Sequence, residues 1–128
     1  MRRSIPTVGL LVGLAGASAV MLGAFGAHAL RDVLDARGTE LWHTAVSYHF
    51  WHALALVLAV SAAPGRARRV ASACFALGIV VFCGTLYALA LGAPRWVGAI
   101  TPVGGVSFIV GWLALGLALA PLLARDPH

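Results

Sequence analysis

Lysine is absent from this chain of 128 residues, acidic residues number four, and nine arginines complete its charged complement. A water-soluble fold of this size needs charge on the outward face of every helix, so the scarcity excludes soluble globular, fibrous and disordered classes. The charges are also bunched. Four stretches contain no Asp, Glu, Lys or Arg: Ser4–Leu30, Leu41–Gly65, Val70–Pro94 and Trp96–Ala124, of 27, 25, 25 and 29 residues. Each exceeds the roughly 20 residues that cross a hydrocarbon core of about 30 Å. Their apolar character is continuous, without the alternation of a transmembrane β-barrel. With 61% apolar residues and a mean hydropathy of +0.94, the chain is expected to be an all-α integral membrane protein. The expected fold is a single four-helix membrane domain over residues 1–128, a four-transmembrane-helix up-and-down bundle with spans at about 7–30, 41–63, 70–92 and 101–123.

Cysteine is scarce as well. Cys74 and Cys83 fall in one predicted helix, on roughly opposite faces and about 13 Å apart along its axis, which forbids a disulfide between them. Neither a CxxC nor a Cys/His zinc spacing occurs. GxSxG, HExxH and a phosphate-cradling glycine-rich loop are missing, and no pair of carboxylates lies at membrane depth. Enzymatic activity, a metal and a cofactor are therefore not expected.

The arginines account for a pI near 10.7, and their placement follows the positive-inside rule rather than a nucleic-acid footprint. Arg2, Arg3, Arg66, Arg68, Arg69 and Arg125 collect on one side of the predicted topology; Arg31, Arg37 and Arg95 lie on the other, diluted by Asp32, Asp35 and Glu40. Six against three predicts both termini in the cytoplasm. Arg2-Arg3 before an apolar run, with Ala17-Ser18-Ala19 beyond, imitates a signal peptide, but the run continues to Leu30 and is read as an uncleaved span. Gly38-Thr39 suggests a break before the second span, and Pro64-Gly65 ends that span. Thr101 is expected to cap the fourth span, with Pro102 in its first turn.

Small residues mark expected close packing. Gly9, Gly13 and Ala17, then Ala19, Gly23 and Ala27, recur at intervals of four in the first span, which predicts it as the central packing helix. Gly23, Gly26, Gly104 and Gly105 are expected at close helix contacts, the last two against the first span.

Polar side chains concentrate in one half of the membrane. His28, Trp42, His43, Thr44, Ser47, Tyr48 and His49 fall in the outer half, as do Thr85, Tyr87 and Thr101, with His52 near the midplane. Thr44, Tyr48 and His52 form one stripe, with His49 about 60° to one side. Hydrogen-bonding groups are costly in hydrocarbon, so this face should turn inward, towards His28 or Tyr87. Three readings stay open. The face is an interhelical hydrogen-bond contact that fixes packing, a site for a small hydrophobic, quinone-like or protonatable ligand, or a metal or haem site using His28, His49 and His52. The metal reading lacks a carboxylate or thiolate at matching depth and a partner to hold either ring.

The same residues carry a family resemblance. Gly23-Ala24-Phe25-Gly26-Ala27-His28, Trp42-x-Thr44-Ala45-Val46-x-Tyr48-x-x-x-His52-Ala53-Leu54, Gly84-Thr85-Leu86-Tyr87, and Gly98-Ala99-Ile100-Thr101-Pro102-Val103-Gly104-Gly105 with Gly111-Trp112 occur in this order. The chain thereby resembles the family catalogued as domain of unknown function 423, which takes in YgdD-like bacterial inner-membrane proteins and transmembrane protein 256 of animals. The resemblance implies a small multi-pass protein of the bacterial cytoplasmic membrane and no particular activity. The family commonly has Gln where this chain has His49, which weakens a metal site built on His49 and His52. The expected role is an accessory or packing partner, embedded in the lipid bilayer, for another membrane protein or for a second copy in a homo-oligomer. The alternative is a carrier or binder of a small ligand at the His/Tyr face.

Overall fold

The computed structural model describes residues 7–124; Arg2, Arg3 and Arg125 of the charge argument lie outside them. The elements are α1 (Thr7–His28), α2 (Ala36–Ser61), α3 (Arg66–Gly78), a π-helical turn (Ile79–Cys83), α4 (Gly84–Ala90), a 3-10 turn (Arg95–Ala99) and α5 (Thr101–Leu123). Helix α3, the π turn and α4 run on as one span, Arg66–Ala90, so four helical spans are long and apolar enough to cross a membrane. The protein is an all-α membrane bundle, as its charge-free windows imply.

Local chemistry sets the ends. Helix α2 starts at Ala36, earlier than the acidic cluster suggested, because the Asp35 carboxylate accepts the Gly38 N–H at 2.6 Å and caps the first turn. Gly38-Thr39 is therefore helix and not a break. Span three stops at Ala90, and Gly92 follows with φ of 99°, a left-handed conformation that suits glycine. Thr101 does not cap α5. The preceding 3-10 turn feeds α5 through Ile100, which is already helical, and the Thr101 hydroxyl instead meets that of Thr85 at 2.7 Å.

Helix α2 and span three form the central pair. Helix α5 lies along α3 and the π turn and touches α2 less, while α1 lies along α2. The expectation that α1 is central is thus corrected: only Ala19 of α1 is fully buried, against nine residues of α2. Small residues permit close approach, but large rings supply the contact area that makes it favourable. Helix α2 carries Trp42, Tyr48, Phe50 and Trp51, whereas α1 has Phe25 alone. A Cβ added at Gly13 or Gly16 would meet no atom of another helix within 4 Å.

Span three and α5 interlock ring into glycine. Phe108 of α5 rests on Gly78, Phe82 of the π turn rests on Gly104, and Phe75 of α3 rests on Gly111. Gly104 therefore packs closely, but on span three and not on span one. The Ser107 hydroxyl donates to the Cys74 carbonyl at 2.7 Å along the same seam. In the π turn the Gly84 N–H reaches back to Ile79, and the Thr85 hydroxyl lies 2.7 Å from the Val81 carbonyl and 3.0 Å from that of Phe82. This widened turn presents Phe82 to both α5 and Tyr48, their rings 4.7 Å apart in the latter case.

Candidate functional site

His49 and His52 are both buried on α2, yet they serve different interfaces. His52 faces α5. The Trp112 indole N–H can only donate, so His52 Nε2 accepts it at 3.1 Å. The ring proton then sits on Nδ1, which donates to the Tyr48 carbonyl at 2.7 Å. Two rings lie nearly parallel to the imidazole: Phe108 stacks on it at 3.5 Å between centroids and 13° between planes, and Tyr48 lies at 5.7 Å and 14°. Tautomer, position and tilt of His52 are all determined by neighbours.

His49 faces α1 and α4. The Ser18 hydroxyl donates to the Ala15 carbonyl at 3.1 Å, which leaves its oxygen to accept from His49 Nε2 at 3.1 Å. His49 Nδ1 then accepts from the Tyr87 hydroxyl at 2.9 Å. One imidazole thus ties three spans together. About two turns towards the start of α2, the Trp42 indole donates to the Leu22 carbonyl of α1 at 2.9 Å and lies 4.7 Å from the Tyr87 ring. Gly26 lies directly beneath that indole, and Gly23 faces Val46. Every buried side-chain polar atom among the described residues has a hydrogen-bond partner.

The predicted polar face therefore divides. Tyr48 and His52 stand together towards α5, and His49 with Tyr87 stands towards α1. His28 is exposed at the end of α1 and takes part in neither network. Thr44 lines a separate surface depression with His43 and Ser47. Thr101 pairs with Thr85 at the head of α5, and Gly105 lines the groove described next. Among the described residues no three His, Cys, Asp or Glu side chains stand together as a metal site, and both nitrogens of each buried histidine are already engaged. The sequence reading missed Ser18, Phe82 and Phe108. Trp112 was visible only as a motif residue, and its indole turns out to hold His52.

Beside His52 the loose contact between α2 and α5 leaves a groove of about 800 Å³. Six rings form it: Tyr48, Trp51 and His52 of α2, Phe82 of the π turn, and Phe108 and Trp112 of α5. Its rim residues Leu54, Val106 and Ile109 are exposed, as are Trp51 and Trp112, so in a bilayer the groove opens sideways to lipid. Tyr48 enters it as a ring stacked against His52 and tilted against Trp51 and Phe82, and no hydrogen bond engages its hydroxyl among the described residues. This groove spans the first half of α5, from Pro102 to Trp112.

A family model described as protein of unknown function (DUF423) matches residues 22–105. A UPF0382 membrane protein of Staphylococcus epidermidis is 42% identical over 111 residues, covering 85% of this chain and 91% of the relative. The UPF0382 membrane protein YwdK of Bacillus subtilis is 41% identical over 110 residues, covering 82% and 89%. The UPF0382 inner membrane protein YgdD of Escherichia coli is 41% identical over 123 residues, covering 91% and 90%. No solved structure matches the chain.

Proposed function

The chain belongs to the DUF423 family of proteins of unknown function, whose relatives are named membrane proteins, and on that premise we propose that it binds a small planar hydrophobic ligand drawn from the bilayer. The observation that carries this reading is the groove of about 800 Å³ walled by six rings. Its size falls within the range of small-molecule sites. Acyl chains alone gain little from rings, whereas a flat conjugated ring gains offset stacking on Tyr48, Phe108 and Trp112. The free Tyr48 hydroxyl supplies one hydrogen bond, which suits a carbonyl-bearing ring of quinone type. The lateral opening lets such a molecule keep its tail in lipid. The proposed role is binding: the Trp112 indole and the Tyr48 carbonyl engage both nitrogens of His52, so its ring serves as a fixed part of the groove wall.

Titration of a short-chain quinone into the purified protein, followed by quenching of tryptophan fluorescence, tests this. Saturable quenching is expected, weakened about tenfold by Tyr48→Ala, a loss of roughly 1.4 kcal/mol, and unaffected by Trp96→Phe far from the groove. Quenching that rises linearly with quinone and is equal in wild type and Tyr48→Ala would mean partition into detergent alone.

A second reading, association with another membrane protein or a second copy, draws on the uncovered face of α1 around Gly13 and Gly16. In that case Gly13→Leu abolishes a complex recovered from native membrane, while the quinone titration stays linear. For orientation, the arginine asymmetry assigns both termini to the cytoplasm of a bacterial inner membrane. Reporter fusions at the two ends are expected to read cytoplasmic; an external signal from either end reverses the assignment.

A further inference from the structure

A second opening lies at the other end of the bundle, on the far side of α2 from the aromatic groove. A crevice of about 780 Å³ is lined by Val8 and Leu11 of α1, Val60 of α2, and Arg68, Arg69 and Ser72 of α3, with Pro64 and Gly65 at its mouth. Leu11 also lines a narrower cleft of about 210 Å³, which continues along Leu14 and Ser18 of α1, Leu56 of α2, Ala76 of α3 and Val80 of the π turn. Val60 and Leu56, and Ser72 and Ala76, are one helical turn apart, so the two openings form one seam. From Val8 to Ser18 it runs roughly 15 Å at 1.5 Å per residue, about half of a 30 Å hydrocarbon core. Its mouth is polar and basic, and its depth is apolar as far as Ser18, whose hydroxyl meets His49.

We infer that this seam is a binding site for one anionic phospholipid, with the phosphodiester at Arg68 and Arg69 and an acyl chain along α1 and α3. Charge complementarity selects this occupant. Arg66, Arg68 and Arg69 stand at this end, whereas the acids of the described residues, Asp32, Asp35 and Glu40, all stand at the opposite end. Arg68 spends one N–H on the Ala62 carbonyl at 3.3 Å, which closes the end of α2 and anchors the side chain. Its remaining donors, and those of Arg69, match the two anionic oxygens of a phosphodiester. The Ser72 hydroxyl donates to the Arg68 carbonyl at 2.8 Å and leaves its oxygen lining the crevice. Basic pockets between helices at a membrane surface recognise lipid headgroups in this way. The depth matches one leaflet, which a soluble phosphate has no use for.

The test is native mass spectrometry of the full chain released from micelles holding equimolar phosphatidylglycerol and phosphatidylcholine with identical acyl chains. One phosphatidylglycerol is expected to be retained in preference to phosphatidylcholine by about tenfold. Arg68→Gln with Arg69→Gln should bring the two lipids level without changing the helical signal, since both side chains reach the surface. Leu11→Trp, which fills the seam, should reduce both lipids together. Equal retention of the two lipids by the wild type overturns the inference, as does a preference that survives loss of both guanidinium groups. Displacement by inorganic phosphate at the same concentration as phosphatidylglycerol would mean an anion site without an acyl seam, and also overturns it.

Discussion

Gly104→Ala is expected to cost about 2–3 kcal/mol of unfolding free energy in detergent, although alanine is the better helix former by about 1 kcal/mol. The reason is the identity of the atoms that a Cβ would meet. At Gly104 these are the backbone nitrogen, Cα and Cβ of Phe82, so no side-chain rotation relieves the overlap. Phe82 sits in the π turn, whose carbonyls are tied by Thr85, and α5 must therefore move away from span three. That movement would also unseat Phe108 from Gly78 and separate Trp112 from His52. Gly16→Ala is the matched control: nothing stands within 4 Å of that position, and the same change there should be neutral or stabilising. Thermal melting of the two variants, followed by circular dichroism, checks the contrast. If both variants melt together, the ring-into-glycine packing does not hold α5 in place.

Trp42→Ala is expected to cost about 3–5 kcal/mol, the range for removing a large buried ring. Trp42 is 3% exposed, its indole donates to the Leu22 carbonyl of α1, and it packs against Phe25 and Tyr87. Because α1 packs chiefly on α2, this loss should loosen α1 before the rest of the bundle unfolds. Trp42→Phe should cost less, since an interhelical hydrogen bond in a membrane contributes about 0.6 kcal/mol on average. A double-mutant cycle sharpens the test. In the wild-type background Gly26→Ala drives a Cβ into the indole, whereas in the Trp42→Ala background that space is empty. The two changes should therefore be non-additive, with the second costing less once the first is made. Additive costs would show that α1 does not rest on Trp42 at Gly26.

The same contrast between openings and contacts separates structural residues from candidate ligand residues. Tyr48 gives up no hydrogen bond as phenylalanine, because stacking and not its hydroxyl fixes its position. His49 joins spans through both nitrogens and His52 through Nε2 alone, its Nδ1 being held by the Tyr48 carbonyl of the same helix, and Tyr87 belongs with His49. These assignments were not legible in the sequence. His49 and His52 are three residues apart, and helical geometry puts them about 60° apart around the axis. That angle is small enough to suggest one shared site and large enough, once neighbours are fixed, to send the rings to opposite interfaces. The glycine pattern was equally ambiguous. Gly13 and Gly16 read the same as Gly23 and Gly26 along α1, yet only the second pair has Val46 and Trp42 against it.

What the amino-acid sequence by itself determined is the solvent and the number of crossings. Four windows without a charged residue admit no other solution than four apolar helices, because burying charge in hydrocarbon costs several kcal/mol per group and backbone groups there must bond internally. Arginine placement carried the orientation argument for the same reason of charge and membrane. The tertiary structure alone decided which helix is central, which glycines receive a ring and where space is left. In a membrane every face is apolar, so hydropathy does not rank the faces of a helix. The choice falls to shape: aromatic rings on α2, span three and α5 find glycines opposite them, and where no ring is seated on a glycine, between α2 and α5 and between α1 and α3, the bundle stays open.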